Sequence, residues 1–129
     1  MTPRRILVVE DNFLNLKLFR DVLSFAGYDV IEAQSGEEGL RAAQDHPPDL
    51  VLMDLQLPGI DGTETLRRLR QGALCPGVPV VAVTAFAMAE DKERASRAGF
   101  DGYVEKPISV RALPGQIEEF LARRPSAQP

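Results

Sequence analysis

The stretch that decides the fold is DLVLMDLQLPGIDG, residues Asp49–Gly62. Four apolar residues, Leu50–Met53, run through it without alternation, which is typical of a strand covered on both faces of a parallel sheet. Asp54 ends that run, and Pro58-Gly59 soon afterwards indicates a turn. In open α/β sheets, ligands bind and chemistry takes place at the carboxyl edge of the strands. Asp54 is therefore a candidate site residue, although an aspartate that merely caps a turn fits the same pattern.

Length and composition indicate one globular domain. The chain has 129 residues, and we assign 1–124 to the domain and 125–129 to a short tail. Its 15 basic and 19 acidic residues are scattered, so we expect no nucleic-acid partner. A single cysteine, Cys75, excludes an internal disulfide and favours the cytoplasm. With no leader and no run of about 18 apolar residues, we expect neither secretion nor a membrane contact.

Three further strands are predicted, two of them from continuous apolar runs, and each is followed by a polar group. Glu10-Asp11 follows Ile6–Val9, Thr84 follows Val80–Val83, and Lys106-Pro107 follows the short strand at 102–104. An outer strand at 28–33 completes five strands, which alternate with five predicted helices. This alternation predicts a single flavodoxin-like α/β domain, with a parallel sheet of order 2-1-3-4-5 and helices on both faces.

Two of the predicted helices carry specific expectations. In the first, Leu18, Phe19, Val22 and Leu23 form the stripe that faces the core, whereas Phe13 and Leu16 lie off it. Those two residues are either ordinary surface apolars or contacts for a partner. The last helix is predicted to be capped by Ser109 and to bury Val110, with a kink or a late start because of Pro114.

The predicted strand order brings Glu10, Asp11 and Asp54 together, because the switch point lies between the first and third strands. Carboxylates at close range raise one another's pKa, and a hard divalent cation relieves their repulsion. Mg²⁺ prefers oxygen ligands, and the backbone carbonyl of Gln56 is a further candidate. Thr84 and Lys106 add a hydroxyl and an ammonium from neighbouring strand ends. Together these groups predict a phosphoryl-transfer site with Asp54 as the nucleophile.

Four motifs in this order and spacing resemble the CheY-like receiver domains of two-component response regulators. They are VVEDN at 8–12, LMDLQLPGIDG at 52–62, VTA at 83–85 and EKP at 105–107. The resemblance covers nearly the whole chain. VEDNxxN, TAFAM at 84–88 and KPIS at 106–109 are most similar to DivK-type single-domain regulators and to receivers of hybrid histidine kinases.

The resemblance implies a role for each site residue. Asp54 would accept a phosphoryl group from a histidine kinase or phosphotransfer protein, Glu10 and Asp11 would hold Mg²⁺, and Lys106 would contact the phosphoryl oxygen. Thr84 and Tyr103 would form the switch, and the Lys106–Pro107 peptide would be cis. Glu10 departs from the family pattern, since many members have Asp there; its longer side chain still reaches the metal shell.

The resemblance favours a non-enzymatic switch that binds a downstream protein and catalyses only its own phosphorylation and dephosphorylation. A start at Met1 and a short tail favour a stand-alone regulator over a receiver of a hybrid kinase. An aspartate-nucleophile phosphatase would need a second acid where Gln56 stands. A flavin binder would need a phosphate loop where Glu10-Asp11-Asn12 stands.

Overall fold

Strands and helices alternate along the chain. The structure, a computed structural model, describes residues 3–57, 59–73, 77–85 and 88–122, so Cys75 and the predicted tail at 125–129 lie outside the described residues. The strands are β1 (Arg5–Val9), β2 (Asp29–Ala33), β3 (Leu50–Asp54), β4 (Val80–Thr84) and β5 (Gly102–Glu105). The helices are α1 (Phe13–Phe25), α2 (Gly36–Asp45), α3 (Gly62–Arg68), α4 (Ala89–Ala98) and α5 (Leu113–Ala122).

All five strands pair in parallel in the order β2-β1-β3-β4-β5, which confirms the predicted fold. Polar side chains cap three of the helices. The side chains of Asn12, Ser35 and Asp61 each accept a hydrogen bond from the backbone N–H three residues later.

The sheet separates two apolar layers. Side chains alternate along β1, so Ile6 and Val8 face one layer while Leu7 and Val9 face the other. The first layer contains the buried residues of α1 and α5, and the second contains those of α2, α3 and α4. Every residue of β3 and β4 is buried, as their continuous apolar runs predict. Within the described ranges, no helix combines the length and apolarity that crossing a membrane requires.

The prediction that Leu16 lies off the core-facing stripe of α1 is wrong. Leu16 is 2 % exposed, and with Phe19 and Leu23 it forms the buried stripe of the helix. Leu18 and Val22, which were assigned to that stripe, are only half-buried. Apolar residues are so dense in this helix that two overlapping stripes fit the sequence, and packing selects one. Phe13 is 66 % exposed, as predicted.

Helix α5 starts late, as Pro114 predicts, and this start exposes Val110. Pro114 is the second residue of the helix, where its missing N–H leaves no broken helical hydrogen bond. The Ser109 hydroxyl accepts the Ala112 N–H, so it caps the turn that precedes the helix. Val110 belongs to that turn and is 54 % exposed, which contradicts its predicted burial.

Helix α3 is short. It ends at Arg68 and widens into a π-helical turn over Leu69–Ala73. Leu69 remains buried in this turn, and the Arg70 guanidinium donates to the Val78 carbonyl and to the Asp101 carboxylate. These two contacts tie the turn to the start of β4 and to the residue before β5.

Candidate functional site

Three carboxylates meet at the carboxyl edge of the sheet, as the strand order predicts. Glu10 and Asp11 directly follow β1, and Asp54 ends β3, the strand beside it. One carboxylate oxygen from each of the three lies within 4.8 Å of the others. Glu10 and Asp54 are buried, whereas Asp11 is exposed, so the cluster is open to solvent on the Asp11 side.

The two oxygens of Asp54 contact different groups. The Gln56 N–H donates to Oδ1 at 2.9 Å, and the Lys106 ammonium donates to Oδ2 at 3.0 Å. The residue is only 3 % exposed. Asp54 is therefore a buried carboxylate with a fixed orientation, whose negative charge is stabilised by one backbone dipole and one cation.

Lys106 reaches the cluster from the residue after β5. Its ammonium also forms an ion pair with Glu10 Oε1 at 3.3 Å, and the Lys106–Pro107 peptide bond is cis. Partial burial lowers the pKa of Lys106, but its hydrogen bond and Coulomb attraction to Asp54, together with the charge of Glu10, outweigh that effect and raise the pKa. The lysine is therefore charged and is shared between two carboxylates.

Glu10 carries the clearest sign that the cluster has an excess of negative charge. Its pKa is raised to about 7, chiefly by burial and then by contact with Asp54, while the Asn12 N–H and Lys106 oppose the rise. Oε1 is buried and, among the described residues, accepts no hydrogen bond of normal geometry, although the Lys106 ammonium lies 3.3 Å away. A buried carboxylate that shares one lysine with Asp54, with Asp11 also beside it, fits a hard divalent cation, which would supply further positive charge.

The remaining predicted residues lie around this cluster. Thr84 ends β4, one residue beyond Val83, which pairs with Asp54 in the sheet register. Tyr103 is a half-buried residue of β5 that lies opposite Ala82. Gln56 has an exposed side chain, and the contact it makes with Asp54 comes from its backbone. The sheet thus brings the carboxylates, Lys106 and Thr84 to one edge. Tyr103 lies near the beginning of β5, away from that edge.

Gly62 contributes to the site in a way that the sequence prediction missed. A Cβ at this position would lie 2.7 Å from the Asp54 carbonyl oxygen and 3.0 Å from Leu55 Cα. The N-terminus of α3 therefore packs directly against the backbone that carries the nucleophile. A glycine that follows the helix cap Asp61 is a weak signal, because a first-turn glycine by itself does not reveal what it packs against.

We expect Gly62→Ala to destabilise the fold by about 1–3 kcal/mol, because the neighbouring atoms are backbone and cannot rotate away. The midpoint of urea unfolding would measure this loss. Gly72→Ala is the matched control, since a Cβ there meets nothing within 4 Å. Equal stability of the two variants would contradict the close contact.

Residues 6–118 match the sequence model of the response regulator receiver domain. The chain belongs to this family. The receiver is 44 % identical over 119 residues to the polar-differentiation response regulator DivK of Brucella anthropi, covering 92 % of this chain and 97 % of the relative. It is 45 % identical over 118 residues to DivK of Brucella abortus, covering 92 % and 96 %. Receiver domains are in general signalling modules without catalytic turnover.

Solved structures resemble the receiver closely. A putative response regulator from Chloroflexus aurantiacus has a TM-score of 0.87 at 34 % identity, covering 95 % of this chain and 100 % of that one. The receiver domain of the sensor histidine kinase PA1611 from Pseudomonas aeruginosa has a TM-score of 0.84 at 31 % identity, covering 94 % and 99 %. That structure has a magnesium ion coordinated in the active-site cleft.

Proposed function

We propose that this receiver accepts a phosphoryl group on Asp54 from a phosphohistidine and signals by binding another protein. The observation that carries this proposal is the pairing of Asp54 Oδ2 with Lys106 at 3.0 Å, within a cluster that also holds Glu10 and Asp11. A nucleophilic carboxylate and charges that stabilise phosphoryl oxygens are the minimum that such a transfer requires.

In the proposed transfer, one Asp54 oxygen attacks the phosphorus of the donor. A P–O bond forms to Asp54, the P–N bond breaks, and the histidine nitrogen keeps the electron pair of the broken bond. Lys106 turns from the carboxylate oxygen to the developing negative charge on the phosphoryl oxygens. The hydrogen bond from the Gln56 N–H to Oδ1 keeps the carboxylate aimed during the attack.

Receiver domains bind Mg²⁺ at an acidic cluster, and we propose that this chain does so with Glu10, Asp11, Asp54 and the backbone carbonyl of Gln56. Bound there, the ion would neutralise phosphoryl oxygens and bring donor and acceptor together. The buried carboxylate of Glu10, which has only a shared ion pair with Lys106 to balance its charge on Oε1, supports this assignment from the protein side.

We propose a stand-alone cytoplasmic regulator with its receiver over residues 1–124, a sensor kinase or phosphotransfer protein as donor, and a downstream protein as target. Support comes from the DivK relatives, whose length this chain covers almost completely. A receiver of a hybrid kinase is the second candidate, because the PA1611 receiver belongs to a sensor kinase. Gln56 stands where a phosphatase would need its general acid, so hydrolysis of other substrates is not proposed.

The direct test is to incubate the purified chain with acetyl phosphate and Mg²⁺ and to measure its intact mass. We expect the mass of one phosphoryl group to be added, and we expect chelator to prevent the addition. Mixing the labelled chain with a phosphotransfer protein then separates the two candidates, because a relay receiver returns its phosphoryl group to histidine whereas a terminal regulator retains it. A chain that acquires no phosphoryl group from acetyl phosphate or from a phosphohistidine donor would refute the proposal.

We further propose that Thr84 and Tyr103 convert phosphorylation into a change of surface. The added negative charge would attract the Thr84 hydroxyl, and the Tyr103 ring would then move inward. Thr84, Leu55 and Ala95 of α4 line a partly open cleft of about 320 Å³, which gives this helix room to shift. Ala95 is the one buried residue of α4, which makes the helix a weakly anchored element.

Thr84→Ala is expected to uncouple the switch from the chemistry. The variant should still gain a phosphoryl group on Asp54, but beryllofluoride, which mimics that group, should no longer change amide exchange over Ala89–Ala98. Hydrogen exchange read by mass spectrometry with and without beryllofluoride would measure this. Ser24→Ala, at an exposed position of α1 on the other side of the sheet, is the control. If the Thr84 variant retained the wild-type change, the switch would lie elsewhere, for example on the face that carries Phe13.

A further inference from the structure

Lys92 is a residue of α4 whose contacts no step of the proposed chemistry uses. Its ammonium lies 4.7 Å from the centroid of the Tyr103 ring, within the range of a cation–π interaction. The same nitrogen is 4.0 Å from Glu105 Oε1, and Glu105 lies on the same face of β5 as Tyr103. One lysine of α4 thus contacts two side chains on the same face of the edge strand.

Helix α4 has few other means of attachment. Ala95 is its one buried residue and carries only a methyl group, and the cap residue Met88 makes no side-chain hydrogen bond to the first turn. Burial of a single alanine stabilises far less than burial of a leucine or phenylalanine. The contacts of Lys92 with β5 are therefore a substantial part of what holds this helix against the sheet.

Lys92 also differs from the other cations of its helix. Arg94 and Arg97 pair with Asp91 and Glu93, so their ion pairs stay within α4. The Lys92 contacts instead cross from α4 to β5. The pKa of Lys92 is raised, chiefly by the Tyr103 side chain, even though its ammonium is largely solvated.

We propose that Lys92 is a positioning residue that clamps the Tyr103 ring in the half-buried orientation of the unmodified protein and thereby ties α4 to β5. We call the three side chains Lys92, Tyr103 and Glu105 the Lys92 clamp. The clamp sets how readily Tyr103 leaves that orientation, because inward movement of the ring removes the aromatic face that the ammonium contacts. Release of the clamp on phosphorylation rests on the proposed function, whereas the closed clamp of the unmodified protein does not.

An opened clamp has a consequence for recognition. When the ring moves away, Lys92 keeps only the long ion pair to Glu105, which is worth little in water. The ammonium then becomes available to an acidic group of a protein docking on α4 and β5. Phosphorylation at the buried site would in this way expose a positive charge on the surface.

The chain contains three lysines, Lys17, Lys92 and Lys106, which allows a direct test by NMR of the lysine ε-methylene groups. Lys17 pairs with Asp21 on α1 and serves as the internal reference, while Lys106 reports on Asp54. The ring current of Tyr103 should shift the Lys92 signal upfield of the Lys17 signal. Tyr103→Leu should bring it back towards the reference. Coincident Lys92 and Lys17 signals in the unmodified protein would overturn the clamp.

Adding beryllofluoride and Mg²⁺ to the same sample tests the release. The Lys106 signal should move because its partner Asp54 changes, and the Lys92 signal should move towards that of Lys17. A Lys106 signal that moves without any change at Lys92 would refute release of the clamp but leave the proposed function intact. An unchanged Lys106 signal would instead count against the proposed function.

Variants of Lys92 test the energetic role of the clamp. Lys92→Met should accelerate amide exchange over Ala89–Ala98 about two- to fivefold, the range expected for loss of one partly exposed cation–π contact. Lys92→Arg should restore slow exchange, because guanidinium also binds an aromatic face. Arg97→Met, on the same helix at a residue whose ion pair with Glu93 stays within α4, is the matched control. Labelling of Asp54 should be unaffected in all three, and equal exchange in Lys92→Met and Arg97→Met would overturn the clamp.

Discussion

Asp54→Asn is expected to abolish acceptance of a phosphoryl group. The amide that replaces the carboxylate carries no negative charge and is a poor nucleophile. Asp54 is also the carboxylate nearer to Lys106, at 3.0 Å compared with 3.3 Å for Glu10. Incubation with acetyl phosphate or a phosphohistidine donor, followed by intact-mass measurement, should show complete loss of the added phosphoryl group.

The control for this substitution is Asp45→Asn, an equally small change at an exposed residue that ends α2. Thermal unfolding of both variants would confirm that they are folded. Glu10 is the carboxylate most able to substitute for Asp54, since it contacts the same lysine at 3.3 Å. If Asp54→Asn were labelled at the wild-type level, the acceptor would be another residue such as Glu10, and the assignment of Asp54 as the acceptor would be refuted.

Asp11→Asn is expected to weaken Mg²⁺ binding by about tenfold or more, since substituting even residues behind the ligands commonly costs that much. Asp11 is the exposed member of the carboxylate cluster and supplies negative charge at its open side. The concentration of Mg²⁺ that gives half-maximal labelling of Asp54 would measure the change, and titration calorimetry would measure binding without the reaction.

Because Asp11 is exposed and its charge adds to the repulsion within the cluster, its replacement should not lower the free energy of unfolding. That expectation separates a loss of metal binding from a loss of structure. Asp91→Asn is a suitable comparison, since Asp91 is an acidic residue outside the carboxylate cluster that pairs with Arg94 on α4. Full labelling of wild-type protein in excess chelator, or unchanged Mg²⁺ dependence in Asp11→Asn, would exclude the proposed role.

The Asp54 and Asp11 variants and the Lys92 variants test different parts of the proposed mechanism. Asp54 and Asp11 concern the chemistry at the sheet edge, whereas Lys92 concerns how a helix on one face responds to that chemistry. A protein in which Asp54 is labelled normally but the Lys92 signal never moves would still be a receiver, with its output through a different surface. The two sets of experiments therefore give separable answers.

The sequence by itself determined the order of the sheet and the position of its site. The uninterrupted apolar runs at Leu50–Met53 and Val80–Val83 could be covered only in the centre of a parallel sheet, and both strands are fully buried. In a parallel sheet of this strand order, the residues that end neighbouring strands must meet at one edge. Glu10, Asp11 and Asp54 could therefore be placed together from local patterns and chain topology alone.

Only the tertiary structure decided which side chains of the helices are buried and which contacts connect them. Leu16 and Leu18 both fit a helical stripe, and packing against the sheet selected Leu16. Pro114 lacks a backbone N–H and is therefore accommodated in the first turn of α5, so the helix starts at Leu113. Val110 lies before that start and is exposed. Lys92 lies over the Tyr103 ring, but the two residues belong to different elements. No periodic pattern in the sequence predicts a contact between them. Local patterns record which residues share a face, but distances between side chains of different elements depend on how those faces pack.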